Sequence, residues 1–262
     1  MKERFRSSRE KPRSALGGGL KKHQSTRDGW VDNKGVRLDY LDTGPAVVHG
    51  LVPILFVPGA LGSAERCVRE MESLYPRRCL AMSLRGRGKS DAPEKGYTFE
   101  EQVTDIESLV NHTGLSQFCI MGYSVGASHA IEYAARNPHL IRGPILGDYK
   151  ARYPPIRADW VKEALSFPQA IRGLQRESQE VILWNRLKKI QCPALVIKGG
   201  QPGSLLPPEA AELYVKHLKD VIIVRFEDSN HELSKPNYER YIGTIKDFLQ
   251  QLDHKQPPSM VV

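Results

Sequence analysis

Gly122-Tyr123-Ser124-Val125-Gly126 follows directly on the apolar run Phe118-Cys119-Ile120-Met121 and forms a G-x-S-x-G pentapeptide. A serine that attacks a carbonyl must hold its hydroxyl at the tip of a sharp turn, and small flanking residues let a strand and a helix close around it. Residues 127–136 are rich in helix formers, contain no glycine and stop at Asn137-Pro138, so the pentapeptide lies between a predicted strand and a predicted helix. In that setting Ser124 reads as a nucleophile, against the plainer alternative of a serine in a glycine-bracketed turn. A serine hydroxyl needs a base to take its proton. Among eight histidines, His231 is the candidate, because it falls in a loop between the last predicted strand and a proline-initiated helix. His129 and His217 lie on predicted helices and read as structural, and no mechanism attaches to His49.

The elements that must carry these residues show as alternating patterns. Apolar runs at 53–57, 79–84, 118–121, 141–146, 194–198 and 221–226 read as strands buried on both faces. Between them lie helical patterns at 64–74, 98–112, 127–136, 208–218 and 238–252. Thr98 with Glu101 three residues on makes a capping box for the second of these. Two alternating segments around Asn33-Lys34-Gly35 predict a β-hairpin at 29–42. The fold class is therefore α/β, a doubly wound and mostly parallel sheet with sites at the strands' carboxyl ends. Between the strands at 141–146 and 194–198 the rhythm changes. Two amphipathic pieces, 160–167 and 181–187, separated by Pro168, predict a small helical cap at about 150–190.

Composition bounds the function. The chain has 262 residues, 40% of them hydrophobic and 26% charged, as in an ordinary globular protein, and no apolar run approaches the ~20 residues that span a bilayer. Six of the eight net positive charges fall in residues 1–28, which hold nine Lys or Arg against Glu3, Glu10 and Asp28. This segment reads as a basic, disordered arm, and residues 29–262 as one domain with a nearly balanced surface. A nucleic-acid or acidic-membrane role would have to reside in the arm. The turn Arg85-Gly86-Arg87-Gly88-Lys89-Ser90 lacks the G-x-x-x-x-G-K-[ST] frame of a phosphate loop and reads as a turn held by its glycines. Cys67, Cys79, Cys119 and Cys192 are scattered without metal or disulfide spacing, which predicts reduced thiols in a cytoplasmic protein and no metal.

Four landmarks in order, Phe56-Val57-Pro58-Gly59, Arg85 to Ser90, Gly122 to Gly126 and Ser229 to Glu232, make residues 30–252 resemble the α/β-hydrolase superfamily. The resemblance implies an α/β-hydrolase fold and a catalytic triad with an oxyanion hole. It puts His231 where the family keeps its histidine. The triad acid commonly follows the strand at 194–198, but Gly203 stands in that loop and no carboxylate does. The family's other placement, the end of the preceding strand, offers Asp148. The oxyanion donors implied are the backbone N–H groups of Val125 and of Ala60, with Leu61 as a second choice for the latter. The expected activity is hydrolysis of a carboxylic ester, thioester or lactone through an acyl-enzyme on Ser124, with a small-molecule substrate and no metal or organic cofactor. A serine nucleophile argues against the epoxide and haloalkane branches, which use an aspartate. Leu61, Tyr123, Tyr149, Trp160 and Trp184 are the expected pocket, and the aromatics Tyr153, Trp160, Phe167 and Trp184 suggest an apolar acyl group. The absent carboxylate at Gly203 sustains a second reading, a binding or receptor protein on a hydrolase scaffold.

Overall fold

A computed structural model of the chain describes residues 26–45, 48–157 and 167–254. The hairpin comes first, β1 (Arg27–Asn33) with β2 (Val36–Asp42). Its turn residues Lys34 and Gly35 have φ of 53° and 85°, the left-handed pair whose twist suits a two-residue hairpin. Because β1 starts at Arg27 and Asp28 pairs with Lys89 at 2.9 Å, the end of the expected arm belongs to the sheet. Residues 1–25, the rest of that arm, lie outside the described residues.

Next come β3 (Ile54–Val57), a 3-10 turn (Ala64–Cys67) running into α1 (Val68–Ser73), β4 (Cys79–Met82) and α2 (Phe99–Thr113). The Thr98–Glu101 capping box is formed, and Gly114 closes α2 at φ 61°. After them stand β5 (Phe118–Tyr123), α3 (Gly126–Arg136) and β6 (Ile141–Gly147). The cap segment holds β7 (Arg152–Tyr153), α4 (Pro168–Glu177), β8 (Val181–Ile182) and α5 (Trp184–Leu187). The chain continues with β9 (Ala194–Gly199), α6 (Pro208–His217), β10 (Val221–Phe226) and α7 (Tyr238–His254). One eight-stranded sheet has the order β1-β2-β4-β3-β5-β6-β9-β10, parallel from β4 to β10, with β1 and β2 antiparallel at one edge.

Alternation along the central strands divides the core. Leu55, Val57, Phe118 and Ile120 pack under α2 and α3, whereas Ile54, Phe56, Cys119 and Met121 pack under α1 and α7. Each such aliphatic side chain contributes about 1.5–3 kcal/mol on leaving water, so both faces of the sheet must be covered. The arrangement is the α/β-hydrolase fold. Among the described residues no helix is long and apolar enough to cross a membrane.

The cap differs from its sequence pattern. Pro168 begins α4 instead of separating two helices, as a proline does at a first helical position where no amide bond is lost. The piece at 181–187 splits into β8, which pairs with β7, and the four-residue α5. Residues 158–166, most of the other expected piece, lie outside the described residues. α4 docks through Ala170 and Leu174 against Tyr97 and Ile156.

Candidate active site

β5 and β6 are each followed by a residue bent into left-handed backbone: Ser124 at φ 55° and Asp148 at φ 46°. Non-glycine residues rarely adopt this region, and side chains held there sit where the neighbouring structure dictates. At the first bend, Ser124 N–H donates to Gly147 O at 2.9 Å, and Ala127 N–H donates to Ser124 O at 2.9 Å as α3 begins. The flanking glycines are required by contact. A Cβ on Gly122 would lie 2.4 Å from Gly126 O, and one on Gly126 would lie 2.4 Å from Val57 O. Strand, serine and helix therefore close as tightly as the pentapeptide predicts.

At the second bend, Asp148 N–H donates to Ile197 O at 2.7 Å, and the side chain is fully buried. Its Oδ1 accepts from Gly199 N–H (3.0 Å) and the Ser204 hydroxyl (2.6 Å). Its Oδ2 accepts from Leu205 N–H (2.9 Å) and lies 2.9 Å from His231 Nδ1. Burial pushes this carboxyl up, but the hydrogen bonds from His231, Ser204, Gly199 and Leu205 outweigh burial and hold it below its ordinary value. An ionised carboxylate only accepts, so Nδ1 carries the hydrogen, and in the neutral ring the lone pair is then at Nε2, the tautomer a base needs.

In the loop after β9 one position is closed to a carboxylate for a backbone reason. Gly203 stands at φ 96°, where a side chain is strained whatever the space around it. Ser204 and Leu205, just beyond it, direct donors at Asp148 instead. Sequence reading missed Ser204, and nothing in Gly203-Ser204 marks it out. Tyr123 adds a further restraint: its ring stacks on His231 with centroids 5.0 Å apart, and its hydroxyl donates to His231 O at 2.6 Å.

Ser124 and His231 open on a cavity of about 460 Å³. Gly59, Ala60 and Leu61 line it on one side, with apolar walls from Phe56, Met121, Leu205 and Leu233. The space a Cβ on Gly59 would fill is 3.6 Å from Ser124 Oγ, so the loop after β3 passes directly over the serine. Among the described residues the N–H groups of Ala60, Leu61 and Val125 make no hydrogen bond. Leu61 and Tyr123 line the cavity as expected.

The other expected pocket residues stand elsewhere. Tyr149 lines an adjoining hollow with Lys150, Pro154 and Arg157, which meets the cavity at Leu205. Trp184 is turned to α6, its ring 5.2 Å from Tyr214, because α5 packs there. Tyr153 is buried against Phe99 and His129, and Phe167 packs with the α4 cluster. Trp160 lies outside the described residues. Arg66, Glu70 and Tyr241 line the cavity without any sequence signal to mark them, since helix-face residues of this kind look the same wherever the face is turned.

Residues 52–147 match a family model described as alpha/beta hydrolase fold. The chain is similar to the serine hydrolase BPHL of Mus musculus, 25% identical over 82% of this chain and 84% of that one. It is also similar to an N-formylmaleamate deformylase of Pseudomonas putida, 24% identical over 84% of this chain and 96% of that one. Among solved structures, a Rhodococcus esterase superposes with a TM-score of 0.72 at 18% identity, covering 87% of this chain and 99% of the other.

Proposed function

We propose that this chain is a serine hydrolase of the α/β-hydrolase superfamily that cleaves an ester-type bond through an acyl-enzyme on Ser124. The observation that carries the reading is the pairing of His231 Nδ1 with the buried, four-times hydrogen-bonded Asp148 at 2.9 Å, beside the cavity that Ser124 lines. In this reading Nε2 of His231 takes the Ser124 proton as Oγ attacks the substrate carbonyl. The C–O π pair moves onto oxygen, and that oxyanion is received by the N–H groups of Val125 and the Ala60 loop. The protonated His231, stabilised by Asp148, then gives the proton to the departing alkoxide, thiolate or ring oxygen. Water attacks the acyl-enzyme by the same route, releasing the acid and restoring Ser124.

The apolar walls of the cavity favour an acyl group of modest size with an apolar part, as a carboxylic ester, thioester or lactone can present. The relatives support hydrolysis at large: one carries the name serine hydrolase and another is a deformylase, which makes amides the competing substrates. The test is labelling of the purified protein with a fluorophosphonate probe, followed by a panel of p-nitrophenyl esters, thioesters, lactones and matched anilides. Labelling on Ser124, absent in Ser124→Ala, with ester turnover exceeding anilide turnover, is expected. No labelling and no turnover would refute the reading and favour a binding protein on the same scaffold.

A further inference from the structure

The turn Arg85 to Ser90 holds two arginines that both point inward, and they differ in what they meet. Arg85 makes an ordinary buried ion pair, Nε and Nη2 bonding the Asp105 carboxylate at 2.9 and 2.6 Å. Arg87 is 1% exposed, and among the described residues no carboxylate pairs with it. Its guanidinium is spread over three neutral acceptors: Nε to Ala60 O (3.0 Å), Nη1 to Arg85 O (2.8 Å) and Nη2 to Gln102 Oε1 (3.2 Å). Gln102 is itself tied down, its amide donating to Tyr97 O, Thr98 O and the Tyr153 hydroxyl. Burial lowers the guanidinium from its ordinary value, yet the residue stays cationic at neutral pH. A buried cation with no carboxylate bonded to it, the nearby Asp105 being paired with Arg85, is unfavourable, so its placement calls for a reason beyond packing.

The acceptor Ala60 O supplies one. Gly62 N–H donates to Gly59 O at 3.0 Å, which makes residues 59–62 a tight turn with Ala60 and Leu61 at its centre. The central peptide of such a turn is the unit that can rotate by half a revolution while the ends stay in place, exchanging the directions of its C=O and N–H. A planar trans peptide points these groups opposite ways. With the Ala60 carbonyl held on the buried guanidinium, the Leu61 N–H faces away from it, and the Ala60 N–H is fixed with the turn. Both N–H groups are without a partner among the described residues, and both belong to the loop that passes over Ser124. A carbonyl that accepts from a cation is also polarised, which strengthens the N–H on its far side as a donor.

Resting on the serine-hydrolase reading, we propose that Arg87 is a positioning residue for the oxyanion hole: its three-point anchorage locks the Ala60–Leu61 peptide with the loop's N–H groups available to the oxyanion. The donors would then be ready before substrate arrives, and their loss would be felt in the transition state more than in substrate binding.

Arg87→Met removes both the charge and the anchoring bonds, and Arg87→Lys keeps the charge but cannot span three acceptors. Rates are expressed per fluorophosphonate-titrated site, so partial unfolding does not imitate the effect. For Arg87→Met, kcat on p-nitrophenyl butyrate is expected to fall about tenfold or more with KM within about twofold, and affinity for an alkylboronic acid, which forms a tetrahedral adduct, to fall alongside kcat. Arg87→Lys should lie between Met and wild type. Wild-type kcat and boronate affinity in Arg87→Met overturn the proposal. If Arg87→Met does not fold, Arg87→Lys decides alone, and wild-type kcat there overturns it. An inactive, unlabelled wild type refutes the serine-hydrolase reading itself, a result distinct from either.

Discussion

Two histidines bracket what this molecule does with a polar side chain. His231 lies at the mouth of the strand-end cavity with a buried carboxylate on Nδ1 and a tyrosine ring stacked on its face. His129 lies on α3, shortly after Ser124 in sequence, fully buried between Phe99 and Tyr153, and among the described residues neither of its nitrogens has a partner. Burial, and after it the positive Arg87, lowers His129 to about 3, so it is a neutral ring used as an aromatic. The residue nearer to Ser124 along the chain is excluded from proton transfer by its surroundings. The distant one, the base of the proposed mechanism, is held by Tyr123 of β5 and by Asp148 just after β6, which the loop after β9 in turn supports. Chemistry here follows from which elements meet at the carboxyl ends of the strands, and sequence proximity counts for little.

The largest effects should fall on the His231 side of this contrast. Ser124→Ala is expected to abolish probe labelling and lower ester turnover by about 10⁴-fold or more, leaving only what binding and the donor loop supply. Retained turnover would mean that the cavity works without its proposed nucleophile. Asp148→Asn keeps the size of the side chain but replaces an acceptor oxygen with an NH₂ or leaves the wrong tautomer on His231. A fall in kcat of about 10²–10⁴-fold with a small change in KM is expected. Unchanged kcat would make the Asp148–His231 pair structural, no different in kind from His129.

How far these positions could be read from sequence depended on the range of the signal. The fold was legible because its signals are local: unbroken apolar strands, the Thr98–Glu101 box, the left-handed Lys34-Gly35 turn and the two glycines around Ser124. Asp148 is reached through a missing carboxylate at Gly203, whose φ of 96° would strain any side chain there. Within the cap the elements differ from their sequence pattern where competing signals meet. A proline that often ends a helix begins α4, and Trp184, amphipathic in pattern, turned to Tyr214. Arg87 carried no reading beyond a turn held by its glycines, and it is buried. No local pattern encodes a guanidinium seated on a carbonyl from a turn 27 residues earlier in the chain.

A smaller effect separates the partners of Asp148 from one another. Ser204→Ala removes the 2.6 Å bond to Oδ1 but leaves the amides of Gly199 and Leu205 and the His231 ring. The loss of one charge-assisted bond among four is expected to lower kcat by roughly threefold to tenfold. A loss as large as that of Asp148→Asn would show that the hydroxyl, and not the pair of amides, sets the carboxylate's position.

The smallest effect on activity, and the sharpest on the contrast itself, belongs to His129→Leu. Leucine replaces a ring with two unpartnered nitrogens by an apolar group of similar volume, so kcat per titrated site should stay within about twofold and stability at neutral pH should not fall. The acid limb distinguishes the two proteins. In the folded chain His129 is held at about 3, while in the unfolded chain it titrates near 6.5. Between those values the unfolded state binds more protons than the folded one, so this residue's contribution to stability is intact above about pH 6.5 and is lost progressively as pH falls toward 3. The slope is on the order of 1 kcal/mol per pH unit for one group. His129→Leu lacks this term, and its stability advantage over wild type, measured by urea unfolding at intervals from pH 7 to pH 4, should grow as the medium is acidified. A constant difference across that range would mean that His129 takes up its proton in the folded state. The separation between a histidine proposed for proton transfer and one kept as a ring would then fail at the residue that most clearly expresses it.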